Sequence, residues 1–508
     1  MSNSFIFFGC WNNINCEKEA IYRDVVLNCI KEFEPYTKKM FIAGDNWYNT
    51  IINYDEKKGD KKSKESKEGK ESKESKESKE GKEEFSYKYY LVDTLVSGYH
   101  ILYTMNKDIY VCVGNHDEAS SNKKYPDCMI KTQKHYINKL KKYIDGKARE
   151  LEKVRNSSQE EADLLQGTEG DYANKMIADL LDSALPSIEQ LEPLDDDTEN
   201  SIKLYSDTKI GVYEDAYSSY IVIIINTNIL SPDYLEAVRK KIGETKTKSS
   251  NQNKVIFVMG HIPLFYDKHK KEKVAKSKDK DVEKAKDTPQ AVPKPPKKEK
   301  EPDEKGEDIT KLKKGTLGED KSSELIDSLY DILAENKCIY LCADCHNFNI
   351  MSIEKGDDKC VIQITSGTGG ADPDIIKDLK NKKVAQLSEY EITYYSINSY
   401  GYCKIAVEDS GSGGVVVVSY NKIIAADCNN KSIDELYVYS VKNNKIEYRK
   451  TEKEKIKNTI ILNASKNRDY YCNRVAKYNT SKEVNVKESN IIKSEDSDKG
   501  ICYEKKGK

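Results

Sequence analysis

Residues 40–48, Met40-Phe41-Ile42-Ala43-Gly44-Asp45-Asn46-Trp47-Tyr48, set four apolar residues directly against a glycine and a polar cluster. A short apolar run ending this way predicts a buried β-strand with chemistry at its carboxyl end, since ligands bind in the crevice beyond the strand ends of open α/β sheets. The pattern recurs four times. Phe5–Phe8 leads into Gly9-Cys10-Trp11, and Ile109–Val113 into Gly114-Asn115-His116-Asp117. Val255–Met259 leads into Gly260-His261-Ile262-Pro263, and Ile339–Cys342 into Ala343-Asp344-Cys345-His346-Asn347. The chain has six His, and three of them (His116, His261 and His346) fall in these segments. Asp, Asn, His, Tyr and Cys converging at strand ends suit a pair of divalent or trivalent metal ions.

Outward from these strands, Cys16–Phe33 carries apolar residues at Ala20, Ile21, Val25, Cys29 and Phe33, a helical face that Pro35 terminates. Phe85–Met105 and Ser322–Glu335 also read as helices, and residues 125–205 as a helical insertion that turns acidic in its latter part. Further strands are expected at Ile221–Ile225, Ile350–Ile353, Val361–Thr365, Tyr402–Val407 and Val415–Tyr420. Two stretches are low in complexity. Residues 57–84 contain seven [Ser/Gly]-Lys-Glu triplets without an apolar residue, and residues 268–318 are rich in Lys, Glu and Pro; neither can offset the entropy of ordering. Setting these insertions aside leaves one core over residues 1–425, a mixed α/β sandwich with a single site at its strand ends. Residues 426–508 form a charged C-terminal extension with no assignable role.

The chain of 508 residues is 37% hydrophobic and 33% charged, with 84 basic residues against 86 acidic for a net charge of −2. That balance argues against general nucleic-acid binding, which needs a local excess of Lys and Arg. No Lys/Arg-led apolar segment opens the chain and nothing approaches the ~20 apolar residues of a membrane span, so no membrane partner is expected. Thirteen Cys, an odd number, fit free thiols in a reducing, cytoplasmic setting better than a disulfide framework.

Taken in order, the five segments resemble the motif set of the calcineurin-like metallophosphoesterases, and most closely that of the purple acid phosphatase branch, which reads GDW, GDNxY, GNHD, GHxP and GHDHN. Thr365-Ser366-Gly367-Thr368-Gly369-Gly370 is similar to the glycine-rich turn after the last motif. The resemblance covers residues 1–425 outside the insertions. It implies a four-layer α/β/β/α sandwich, a centre of two divalent or di/trivalent metal ions (Fe, Zn or Mn), and acid-phosphatase-like hydrolysis of a phosphate ester. Asp45 would bridge the ions about 3.5–4 Å apart. Tyr48 and His346 would ligate the first ion, Asn115 and His261 the second. His116 would face the phosphate as acid or electrostatic stabiliser, with Asp117 orienting it. His269 lies near the offset of a second substrate-side His and is the candidate substrate contact.

Two positions depart from the family pattern. Cys10 stands where members have Asp, and Asp344 where they have His. A Cys10 thiolate could ligate but favours Zn²⁺ over Fe³⁺; Asp344 exchanges a neutral nitrogen for an anionic oxygen. Asn12 or Asn13 could take the Cys10 position if the loop shifts. These departures, with long charged insertions suited to a protein partner, support an alternative expectation: a catalytically degenerate fold acting as a binding or scaffold protein. Plainer readings also exist for single residues. Asp45 could cap a helix, Gly-Asn-His-Asp could be a turn, and His261 before Pro263 could be structural. Cys338, Cys342 and Cys345, with Cys10 and Cys16, could form a structural zinc site or simply act as small buried hydrophobes.

Overall fold

A computed structural model of the chain describes residues 3–15, 21–48, 51–54, 87–118, 128–155, 202–206, 208–267, 312–315, 322–374, 379–408, 414–423, 433–455 and 463–467, with a few isolated positions besides. Sixteen of its strands form two large mixed sheets. In chain order they are β1 (Ser4–Phe8), β2 (Lys39–Ala43), β3 (Asp108–Cys112), β4 (Ile202–Tyr205), β5 (Gly211–Glu214), β6 (Tyr220–Ile224), β7 (Val255–Met259) and β8 (Ile339–Cys342). There follow β9 (Phe348–Lys355), β10 (Lys359–Ser366), β11 (Leu379–Leu387), β12 (Tyr390–Ile397), β13 (Tyr400–Glu408), β14 (Val415–Ile423), β15 (Ile433–Lys442) and β16 (Lys445–Lys455). The first sheet runs β16-β15-β14-β13-β1-β2-β3-β4, the second β11-β12-β9-β10-β8-β7-β6-β5. Each is half parallel, half antiparallel. In the first, β1 to β4 are parallel and β13 joins β1 antiparallel. In the second, β6, β7, β8 and β10 are parallel.

Parallel neighbours require crossovers. Helix α1 (Tyr22–Phe33) joins β1 to β2, and α2 (Val92–Thr104) precedes β3. After β3 come a single turn, α3 (Asn115–Glu118), and the long α4 (Cys128–Arg155). Helix α5 (Pro232–Thr247) joins β6 to β7, capped by the Ser231 side chain, which accepts from the Tyr234 amide, with proline at its first position. Helix α6 (Ser322–Asn336) feeds β8.

Side-chain alternation along the strands builds three cores. In β1, Ile6 and Phe8 join Val25, Val26, Leu95 and Tyr136 of the helices α1, α2 and α4, while Phe5 and Phe7 turn to the opposite face. In β6, Val222 and Ile224 meet those residues between the sheets, while Ile221 and Ile223 pack with Val238 of α5 and Leu329 of α6. Phe5 ties the two sheets together, its ring lying 5.1 Å from Phe41, 4.8 Å from Tyr220 and 5.2 Å from Phe257. Such aromatic pairs add about 0.5–1.5 kcal/mol each beyond their buried area.

Several expectations are corrected. Of the helix expected over Phe85–Met105, Tyr87–Leu91 is instead a strand paired with Ile51–Tyr54, and the helix begins at Val92. The aromatic run Tyr87-Lys88-Tyr89-Tyr90 carries β propensity that outweighs helical spacing. The insertion expected to be helical over 125–205 holds α4 but closes with strand β4, while residues 156–201 lie outside the described residues. Residues 57–84 and most of 268–318 do too, but Leu312–Lys314 pairs antiparallel with Phe265–Asp267 and buries Leu312. Beyond residue 426, β15 and β16 extend the first sheet, with Tyr437, Tyr439 and Val441 buried between the sheets. Further on, Ala464 packs in the first core, its carbonyl accepts from the Ile21 amide (3.3 Å), and Asn467 donates to Asp24 (2.7 Å). Among the described residues, no helix is long and apolar enough to cross a membrane.

Candidate metal centre

The carboxyl ends of β1, β2, β3, β7 and β8 meet at one edge of the two sheets. Three of the residues just past those ends, Cys10, Asp45 and Asp344, hold left-handed backbone, with φ of 49°, 54° and 58°. This conformation costs a non-glycine residue ~1–2 kcal/mol, and its gathering at one place marks a functional constraint. Gly44 (φ 82°) allows the approach: a Cβ there would lie 2.6 Å from His261 Nδ1 and 2.7 Å from the Gly114 amide nitrogen.

Asp45, 1% exposed, is the centre of the arrangement. Its Oδ2 faces one group: the Tyr48 hydroxyl at 2.6 Å and Cys10 Sγ at 3.7 Å, with Tyr48 Oη in turn 2.9 Å from His346 Nε2. Its Oδ1 faces another. His261 Nε2 lies 3.3 Å away, and that nitrogen is also 2.9 Å from Asn115 Oδ1 and 3.6 Å from Asp344 Oδ1. Among the described residues, Cys10, Asp45 and His261 offer donor atoms all within 4.8 Å of one another and could hold a metal ion.

Both imidazoles are fixed from behind. His261 Nδ1 is 2.7 Å from the Ala43 carbonyl and His346 Nδ1 is 2.8 Å from the Asp372 carbonyl. A carbonyl can only accept, so each Nδ1 carries hydrogen and each ring turns its Nε2 inward. Around Tyr48, the phenolic proton and the Cys10 thiol proton face two acceptors, Asp45 Oδ2 and His346 Nε2. Around His261, the acceptors of Asn115, Asp45 and Asp344 converge on Nε2, which raises its affinity for a proton or a metal ion. Acceptors crowded together in this way favour a positive charge among them, supplied by a proton on His261 or by a metal ion. Among the described residues, no Lys or Arg belongs to either group.

Proton affinities respond accordingly. Burial pushes the Cys10 thiol and the Tyr48 phenol up, and the Asp45 charge raises both further. Burial by itself would lower His261, but the Asp45 and Asp344 carboxylates outweigh it and lift its pKa to about 10, against an ordinary 6.5. In protein stripped of metal, His261 is therefore imidazolium at neutral pH. A folded-state pKa above the unfolded value contributes stability that is complete below pH 6.5 and lost as pH climbs through about 10. Chelator-treated protein should lose thermal midpoint across that window, and His261→Asn should remove this component of the pH dependence. Superimposable pH profiles for the two proteins would contradict the charge assignment.

Asp117 is not placed as expected. Fully buried, it accepts from the amides of Gly114 (2.7 Å) and Asn46 (2.9 Å), and from the side chains of Asn46 (2.9 Å) and Gln133 (2.8 Å). Its hydrogen bonds thus hold the β2 and β3 loops together, and none goes to His116. Burial, then the Asp45 charge, lifts its pKa to about 6. The His116 amide donates to Asp45 Oδ1 (3.1 Å), and its half-buried ring lies 4.7 Å from that of Tyr48. His269 lies outside the described residues. Cys338 and Cys342 sit in the helix-side core of the second sheet, and Cys10 is the cysteine that joins Asp45 and His261. Asn12 is committed elsewhere, its side-chain oxygen accepting from buried Arg23 (2.8 Å).

The sequence reading missed several supports. Thr227 Oγ1 accepts from the amides of His261 (3.0 Å) and Ile262 (2.9 Å), fixing that loop. Asp374 accepts from the His346 amide (3.0 Å). Asp372 and Asp374 follow the glycine-rich turn directly, a position that could have pointed to them; Gln133, inside α4, carries no such signal.

The models of known protein families and the curated proteins contain no match to this chain. The site's chemistry therefore rests on its own geometry.

Proposed function

We propose that this chain is a metal-dependent phosphoesterase of the four-layer α/β/β/α kind, hydrolysing phosphate esters at a dinuclear centre with an altered ligand set. The observation that carries this reading is the division of Asp45, whose two oxygens address two separate donor groups. Cys10, Tyr48 and His346 with Asp45 would hold one ion; Asn115, His261 and Asp344 with Asp45 would hold the other. When bound, the pair would supply Lewis acidity toward phosphoryl oxygens and lower the pKa of a water. The chain's own part is placement. The Ala43 and Asp372 carbonyls fix the imidazole tautomers, and Asp117 locks the β2 and β3 loops. His116, on the open side beside exposed Asn115, is positioned to meet a phosphoryl or leaving-group oxygen as acid or charge stabiliser. The core cluster between the sheets supports the four-layer reading, since it is flanked by two helix-lined clusters.

Purified protein should hydrolyse p-nitrophenyl phosphate when loaded with Zn²⁺, Mn²⁺ or iron, and should hold two ions per chain by elemental analysis. No turnover with any of these metals at acid or neutral pH overturns the enzymatic reading. Two bound ions without turnover would point to the binding-protein alternative, which Cys10 and Asp344 favour because both depart from the phosphatase pattern.

A further inference from the structure

Resting on that reading, the geometry points to two metal positions of opposite character: a buried, thiolate-containing position at Cys10 that retains zinc, and an open, oxygen-rich position at Asp344 that exchanges Mn²⁺ or Mg²⁺. The donor atoms on the Oδ2 side of Asp45 are a sulfur, a carboxylate oxygen, a phenol oxygen and an imidazole nitrogen. Those on the Oδ1 side are two carboxylate oxygens, an amide oxygen and an imidazole nitrogen. Thiolate selects Zn²⁺ among the common ions, whereas carboxylate and carbonyl oxygens suit Mn²⁺ and Mg²⁺.

Exposure divides the same way. Cys10 is fully buried and Tyr48 is 8% exposed. On the other side, Asn115 is exposed and the Asp344 side chain is 36% exposed. Four protein donors complete the shell of a zinc ion, as in closed structural sites. The same number leaves a six-coordinate Mn²⁺ or Mg²⁺ with places for exchangeable ligands. The Cys10 position therefore holds a resident ion and the Asp344 position the ion that comes and goes with substrate. The left-handed backbone at both residues fits this assignment, because such strain gathers at functional sites.

The test uses full-length protein stripped of metal, titrated with Co²⁺ and then with Zn²⁺ and Mn²⁺. The first cobalt equivalent should produce a near-ultraviolet thiolate-to-cobalt charge-transfer band. Cys10→Ser should abolish that band, and Cys360→Ser, at a half-buried thiol away from the site, should keep it. After loading with both ions and dialysis, wild type should retain one zinc and lose its manganese. Cys10→Asp should retain zinc at least tenfold less well, and Asp344→Ala should lose manganese binding by electron paramagnetic resonance while keeping the zinc. Circular dichroism of each variant checks that it is folded. Two bound cobalt ions without the band, or loss of the same ion in the Cys10 and Asp344 variants, overturns the asymmetry but leaves the phosphoesterase reading standing. Failure to bind any ion overturns both.

Discussion

If the proposed dinuclear centre is right, Asp45→Asn should cost the protein at least one of the two ions and lower kcat/KM for p-nitrophenyl phosphate by roughly 10²–10³-fold, the order of what removing a central electrostatic element costs. The carboxylate reaches both donor groups, with Oδ2 at 2.6 Å from Tyr48 and Oδ1 at 3.3 Å from His261. An amide keeps the shape but offers one oxygen; its NH₂ would meet either the Tyr48/Cys10 group or the His261 group as a donor. Elemental analysis and steady-state kinetics on the same preparation check the outcome. Wild-type metal content in Asp45→Asn would rule out a bridging role.

Asp117→Asn should destabilise the protein by ~3 kcal/mol or more, because replacing a carboxylate that satisfies buried donors leaves some of them unpaired at ~1–3 kcal/mol each. The donors at stake are the Gly114 and Asn46 amides, the Asn46 side chain and Gln133. An asparagine could accept from some of them but would set its own NH₂ against the rest. For a domain of this size the loss corresponds to a fall in thermal midpoint of roughly 3 °C or more. Metal affinity should fall by ~10–100-fold as well, the usual cost of losing a group that orients ligands, since the two amides belong to the loops that carry Asp45 and Asn115. A midpoint within a degree of wild type would mean that the loops are held by something else.

The strand ends were readable because apolar runs meeting Gly and polar residues leave little choice of structure, and the donors they carry do come together. The role of Asp117 was not readable. Asn115–Glu118 forms a turn of helix, and at about 100° per residue Asp117 points well away from both Asn115 and His116. Gln133, its partner from α4, lies in a stretch whose sequence reads only as helix. The strands β15 and β16 were hidden by charge: Lys445–Lys455 is an edge strand dense in Lys and Glu, as exposed edges tend to be. The period-2 signal was nonetheless present next to it, in Tyr437, Tyr439 and Val441. The strand at Tyr87–Leu91 was lost to the helix that follows it without a break at Val92.

The seven proposed ligands come from opposite halves of the polypeptide. Cys10, Asp45, Tyr48 and Asn115 all precede residue 120, and His261, Asp344 and His346 all follow residue 260. Neither half owns a finished chelate. A nascent chain leaving the ribosome has nothing to grip an ion with at full strength until the end of β8 has emerged and the sheets have docked. On the proposed reading the ions would act as rivets driven last, and occupancy would become a record that assembly has been completed.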